Sequence, residues 1–175
     1  MGAALTTLLA TLPDAARDLR LNLGAVLAES TLSPAQRWGV AVASAIASRS
    51  TPLRDAIVAD ARAEGIDAAV LDDAVAAAAL MGMNNVFYRF RTLVERADYG
   101  ERPARLRMNR LARPSTSRTD LELFSLAVSA IHGCGSCVKA HEKVVTEAGV
   151  TVDQVHDAVR VASVVHGVAV GLAAV

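Results

Sequence analysis

Aromatic residues make up only 3% of the 175-residue chain: three Phe, two Tyr and one Trp. Strands draw on aromatic and β-branched runs, and none of convincing alternation occurs, which argues against a sandwich or barrel. An excess of either charge is also missing, since 18 basic residues face 18 acidic ones. That balance excludes a strong electrostatic footprint for nucleic acid. Long apolar runs are lacking too. The longest, Val161 to Val175, has 15 residues and contains His166, short of the roughly 20 needed to span a bilayer. It reads as a buried core helix, so no membrane is expected. No basic residue precedes the apolar stretch near the N-terminus, as a secretory signal would require. The default compartment is therefore cytoplasmic, where two cysteines are not expected to serve as a structural staple.

What is abundant is Ala, Leu and Val. At 53% hydrophobic and 21% charged, the chain can build one ordinary core and is not disordered. Capping chemistry marks helix starts at Ser33-Pro34, Thr51-Pro52, Asp67, Thr119-Asp120-Leu121-Glu122 and Thr151-Val152-Asp153-Gln154. Gly65, Gly100, Gly133 and Gly149 mark stops. The expectation is a single all-α domain with helices near 3–11, 14–28, 34–48, 52–64, 68–96, 120–132, 135–148 and 152–173.

The chain also echoes itself. Glu64-Gly65-Ile66 with Asp73-Ala74-Val75 resembles Ala148-Gly149-Val150 with Asp157-Ala158-Val159, and Ala41-Val42 resembles Ala127-Val128. Offsets of 84 to 86 residues suggest two similar helical units, about 31–88 and 117–173. Between them lies an Arg-rich connector, 89–118, with nine arginines and three acids. Charge runs of this kind are usually solvated. Asn84-Asn85 interrupts an apolar helix, and buried amides need partners, so this pair is expected to tie helix ends together.

The chemistry concentrates in the second unit, which holds both cysteines as Cys134-Gly135-Ser136-Cys137. Gly133 ends one helix, so Cys134 falls at the start of the next, where free amides and the helix dipole favour a thiolate. The two cysteines are three positions apart, close enough for a disulfide. His141 stands four residues beyond Cys137 on the same helical face and can take its proton. If the chain reverses at Gly133, Glu122 lies about 16 Å back from the turn and His141 about 12 Å forward. A carboxylate could then orient the imidazole, in the manner of a nucleophile–base–orienter relay. A capping role at N3 would explain Glu122 equally well, and paired cysteines can be inert core residues. Zinc is a third alternative, with His132, Cys134, Cys137 and His141 as two nitrogens and two sulfurs. All four lie on one turn and one helix, however, whereas structural zinc sites join separated segments; no metal is the expectation.

Glu122, Cys134, Cys137 and His141 together resemble the signature of the alkyl hydroperoxidase D family, within the carboxymuconolactone decarboxylase-like superfamily. Met83-Asn84-Asn85-Val86-Phe87-Tyr88-Arg89-Phe90-Arg91, the length and the doubled helical unit are similar to it as well. The resemblance implies an all-helical cytoplasmic homotrimer in an antioxidant system, with no bound cofactor. It implies electrons drawn from lipoyl groups (dihydrolipoamide) on a dihydrolipoamide acyltransferase, kept reduced by dihydrolipoamide dehydrogenase. These electrons would pass to alkyl hydroperoxides or to a peroxiredoxin of the alkyl hydroperoxide reductase C type. It assigns attack to Cys137 and resolution to Cys134, where helix position alone favours Cys134 as the more acidic thiol. Glu122 and His141 would form the proton relay. One departure stands out: Ser136 occupies the place of a histidine in better-known members. A hydroxyl can hydrogen-bond but cannot carry the proton at neutral pH, so a shorter relay is expected, with His132 and Ser136 as auxiliaries. Other functions remain open at this stage: a decarboxylase-like enzyme using Glu122 and His141, or a zinc-holding or redox-sensing interaction protein.

Overall fold

A computed structural model describes residues 1–174, so the last residue of the apolar stretch 161–175 lies outside it. The helices are α1 (Ala3–Leu9), α2 (Arg17–Ala28), α3 (Pro34–Ala47), α4 (Thr51–Ala63), α5 (Ala68–Val94), α6 (Ala97–Gly100), α7 (Arg118–Ile131), α8 (Gly135–Glu147) and α9 (Val152–Leu172). Short 3₁₀ turns occupy Asp14–Ala16 and Asn109–Ala112, and no strand occurs among the described residues.

The centre is made by α3, α5, α7 and α9. α3 packs on the other three, α7 touches all of them and α8, and α2 and α1 cover α9 and α4. Trp38, Phe124, Leu123, Met81 and Val165 are fully enclosed there. Helices this rich in small residues approach closely. A Cβ on Gly39 would sit 2.1 Å from Cζ of Phe124, so α3 and α7 touch through a residue with no side chain. Among the described residues, α9 is the one helix long and apolar enough to cross a membrane by length and composition. Here it turns Ala158, Val161, Ala162, Val165 and Val168 into the core against α2, α3 and α7.

Several boundaries differ from the sequence expectation. α7 begins at Arg118 with Ser117 as its N-cap, the Ser117 hydroxyl accepting the Asp120 amide. Thr119 is therefore inside the helix and Glu122 is one turn past the cap. Its capping-box role falls away, because Ser117 offers a hydroxyl two residues earlier. The long helix ends at Val94 rather than near 96, with Glu95 in the left-handed region at φ 52°. Residues 89–94 of the Arg-rich segment thus belong to α5, and Gly100 closes only the short α6.

Helix starts and stops recur at a spacing of 84 residues. Ser33 and Ser117 cap α3 and α7, while Asp67 and Thr151 cap α5 and α9. Left-handed residues close α3 and α7 at Arg49 (φ 57°) and Gly133 (φ 65°), and α4 and α8 at Gly65 (φ 76°) and Gly149 (φ 94°). Each ends its helix with the same pair of backbone bonds; at Gly133 these run from the Gly133 amide to Ala130 and from the Cys134 amide to Ser129. Arg49 alone does this with a β-carbon, at a cost of roughly 1 kcal/mol.

Two buried aspartates, also 84 residues apart, cross-tie the halves. Asp73 accepts the amides of Ser115 and Thr116 and the Thr116 hydroxyl, and pairs with Arg110 at 2.6 Å. Asp157 accepts the amide and hydroxyl of Thr31 and pairs with Arg160 at 2.8 Å. Each half therefore holds the strap leading into the other. Arg110 also reaches Asp72, so this part of the basic connector is anchored rather than freely solvated.

Burial pushes both carboxyls up, but the hydrogen bonds and the arginine outweigh it and leave each pKa below the ordinary 3.8. A lowered folded pKa gives stability that is complete above the unfolded value and is lost as pH falls through the folded one. The urea midpoint should thus hold steady down to about pH 5 and fall below about pH 4, and Asp73→Asn with Asp157→Asn should flatten that fall. Gly39→Ala should cost about 2–3 kcal/mol by urea denaturation, as overpacking against a ring that cannot retreat.

Candidate active site

The turn between α7 and α8 sets the site. Because Gly133 takes a positive φ, the chain reverses and Cys134 becomes the N-cap of α8, with Cys137 on its first turn. Cys134 and Cys137 are joined as a disulfide with their Cα atoms 5.3 Å apart. Cys134 is wholly enclosed, whereas Cys137 keeps 6% of its surface exposed. Attack from solvent thus has a path to the Cys137 side of the bond.

One turn further along α8, His141 Nδ1 lies 2.6 Å from Glu122 Oε2 on α7. Both residues are 92% buried. A carboxylate can only accept, so Nδ1 carries a proton toward it. The other oxygen of Glu122 faces Arg118 at 3.9 Å, a residue largely in solvent. His141 Nε2 points at α5, 3.2 Å from Sδ of the fully buried Met81. Both ring nitrogens are therefore engaged, one strongly and one by a weak thioether contact.

The residues flanking the disulfide have separate partners. Ser136 Oγ stands 3.7 Å from Cys134 Sγ and 3.3 Å from Thr92 Oγ1 of α5. His132 turns away: its Nδ1 is 3.1 Å from Asn85 Nδ2, and the Asn85 carbonyl accepts the Ser129 hydroxyl. Burial, with Arg89 and Arg49 nearby, holds the His132 pKa below its ordinary value against the opposing pull of the Ala47 and Met81 carbonyls. His132 is thus a neutral ring tied to α5, with no hydrogen bond to either sulfur. The four residues of the zinc alternative do not converge, and no cluster of three or more His, Cys, Asp or Glu that could hold a metal occurs among the described residues.

Asn85 does tie α5 to the end of α7. Asn84 does not: its side-chain oxygen is buried with no protein partner. Met81, Thr92 and Asn85 escaped the sequence reading as site neighbours. Nothing in an Ala-rich helix marks Met81, and only the crossing of α5 over α8 brings it to His141.

The model of the carboxymuconolactone decarboxylase family matches residues 97–175. Over nearly the whole chain there are closer relatives. An alkyl hydroperoxide reductase AhpD of Anaeromyxobacter dehalogenans (strain 2CP-C) is 60% identical over 170 residues, 97% of this chain and 91% of the relative. One from Rhodospirillum centenum is 51% identical, covering 95% and 89%, and one from Brucella suis is 49% identical, covering 93% of each. The chain belongs to the AhpD family.

Within this AhpD-family chain the first half supplies a built-in comparison. The positions 84 residues before Glu122, Cys134, Cys137 and His141 are Trp38, Ser50, Leu53 and Ile57. Three of them are buried in the apolar core. The same helix–turn–helix frame is filled with hydrocarbon in one half and with ionisable groups in the other. Removing one partner of the buried pair leaves the other without its bond. Glu122→Ala should therefore lower the unfolding free energy of the disulfide form by about 2 kcal/mol, whereas Arg118→Ala should change it by less than about 0.5 kcal/mol. Equal effects in urea denaturation would show that the pair is not the buried anchor of α8.

Proposed function

We propose that this chain is an alkyl hydroperoxide reductase that works by thiol–disulfide exchange through Cys134 and Cys137. The observation that carries the reading is a Cys-x-x-Cys disulfide at a helix N-terminus beside a buried Glu–His pair. Relatives at 49–61% identity that bear the name alkyl hydroperoxide reductase support it.

In the reduced enzyme, Cys137 loses its proton to Nε2 of His141, which gives up its weak contact with Met81 while Nδ1 keeps its bond to Glu122. The Cys137 thiolate attacks the distal oxygen of a hydroperoxide, the O–O bond breaks, and the alcohol leaves after taking a proton. Cys137 becomes a sulfenic acid. The Cys134 thiolate then attacks Cys137 Sγ, water leaves, and the disulfide forms. A dihydrolipoyl dithiol returns the two electrons. One lipoyl thiolate attacks Cys137 to give a mixed disulfide, Cys134 leaves as thiolate and is protonated, and the second lipoyl thiol releases Cys137 as the cyclic lipoyl disulfide forms. A peroxiredoxin of the alkyl hydroperoxide reductase C type is an alternative electron acceptor by the same exchange. Ser136 contributes a hydroxyl beside Cys134 and no proton relay of its own, which favours disulfide exchange over direct peroxide turnover.

We also infer self-association, as a homotrimer, through α5. Val75, Met83, Phe90 and Leu93 are exposed on this helix, the last three along one face at seven- and three-residue spacings. A cluster of exposed apolar side chains of this size is unusual on a monomer. The reading places the enzyme in the cytoplasm, where a dithiol donor keeps the pair cycling.

Hydroperoxide consumption with dihydrolipoamide as reductant tests the mechanism. Wild type should turn over and Cys137→Ser should fall to background. Cys134→Ser should accumulate a trapped sulfenic acid or mixed disulfide, read by dimedone labelling and mass spectrometry. Equal residual turnover in the two variants would overturn the division of labour, and activity surviving thiol alkylation would overturn the thiol mechanism.

A further inference from the structure

Behind the turn that carries the disulfide lies a cavity of about 220 Å³, walled by the end of α3, the middle of α5 and His132. Its apolar sides include Ile46, Gly82 and Val86, and two guanidinium groups, Arg49 and Arg89, complete the lining. No carboxylate pairs with either arginine among the described residues. Both positive charges bear on His132, which stays neutral between them. Arg89 donates to the His132 carbonyl and keeps further donors; Arg49 has no side-chain hydrogen bond among the described residues. Both arginines are exposed, so the cavity opens to solvent, and an anion entering it meets two guanidinium groups that have no carboxylate partner among the described residues.

Arg49 adds a second, independent observation. It occupies a left-handed position where the second half of the chain has Gly133. Glycine is the unstrained choice for such a position, so the chain keeps a strained backbone and gains a guanidinium on the cavity wall. Nothing in the packing of α3 against α4 requires that charge.

We propose that this cavity is a binding site for a small organic carboxylate, its anionic end held by Arg49 and Arg89 and its hydrocarbon body lying against Ile46, Gly82 and Val86. At about 30 Å³ for a water-sized group, the volume takes roughly seven such groups, close to the eight non-hydrogen atoms of a six-carbon acid. The anion shares Arg89 with the carbonyl of His132, two residues before Cys134, which joins the site to the turn bearing the disulfide. This site is separate from the sulfurs, and its occupancy is measurable without any peroxide chemistry.

Calorimetric titration of hexanoate into the full-length disulfide form tests the proposal. Hexanoate should bind saturably, and hexanol, of the same shape without the charge, at least about tenfold more weakly, the worth of one charge-assisted hydrogen bond. Arg89→Gln and Arg49→Gly should each weaken hexanoate about tenfold or more. Arg49→Gly should also raise the urea midpoint, because it relieves the left-handed strain, so lost binding in that variant cannot be assigned to misfolding. Absence of saturable binding, including the case where a carboxylate of a second copy fills the cavity, would overturn the proposal. So would equal affinity for hexanol, or hexanoate binding unchanged in both variants. The titration uses no reductant or hydroperoxide, and its outcome stands apart from that of the reductase assay.

Discussion

A carboxylate and an imidazole buried between two helices must satisfy each other or destabilise the fold, and the Glu122–His141 bond is that constraint here. At 2.6 Å, with both groups nine-tenths enclosed, it fixes how far α8 slides along α7. The left-handed Gly133 makes the reversal, but the bond sets the register in which the reversed helix docks. Cys137, one turn before His141, inherits its place from that register. Met81 closes the remaining side of the ring from α5, so three helices meet at one imidazole. The disulfide sits at the turn of an assembly whose rigid part is the buried pair, and only Cys137 of the two cysteines reaches the surface.

The rest of the scaffold is symmetrical in a way the chemistry is not. Caps, left-handed closures and buried aspartates return after 84 residues, and Asp73 and Asp157 each grip the strap feeding the opposite half. These bonds serve both halves alike, since each gives the backbone amides of a strap a carboxylate acceptor. The site positions do not return. Where the second half has Glu122, Cys137 and His141, the first has Trp38, Leu53 and Ile57, and hydrocarbon fills the frame. A Glu–His pair requires two polar partners at once, so either partner alone would leave a buried charge. The same asymmetry runs the other way at Arg49, where the first half carries charge and strain and the second has glycine.

Much of the helical plan was legible because its signals are local. Ser33, Asp67, Thr151, Gly65, Gly133 and Gly149 mark helix ends through bonds reaching only a few residues along the chain. Where two hydroxyls compete, local reading fails. Ser117 and Thr119 both offer a cap before the same apolar run, and α7 takes the earlier one. That choice moved Glu122 from a capping position into the helix body and freed it for His141. At the other end of the central helix, Glu95 closes α5 without glycine, and the pattern gave no sign of it.

By itself, then, the sequence determined an all-α chain, the reversal at Gly133, and a close cysteine pair followed four residues later by a histidine. Each depends on spacing within one or two turns. Tertiary structure alone decided that His141 faces Met81, that His132 turns to Asn85 instead of the sulfurs, and that Arg49 and Arg89 share a cavity. Those outcomes depend on how α3, α5, α7 and α8 cross. Residues 40 to 60 positions apart meet only when the small side chains of Gly39 and its neighbours let the helices close on one another.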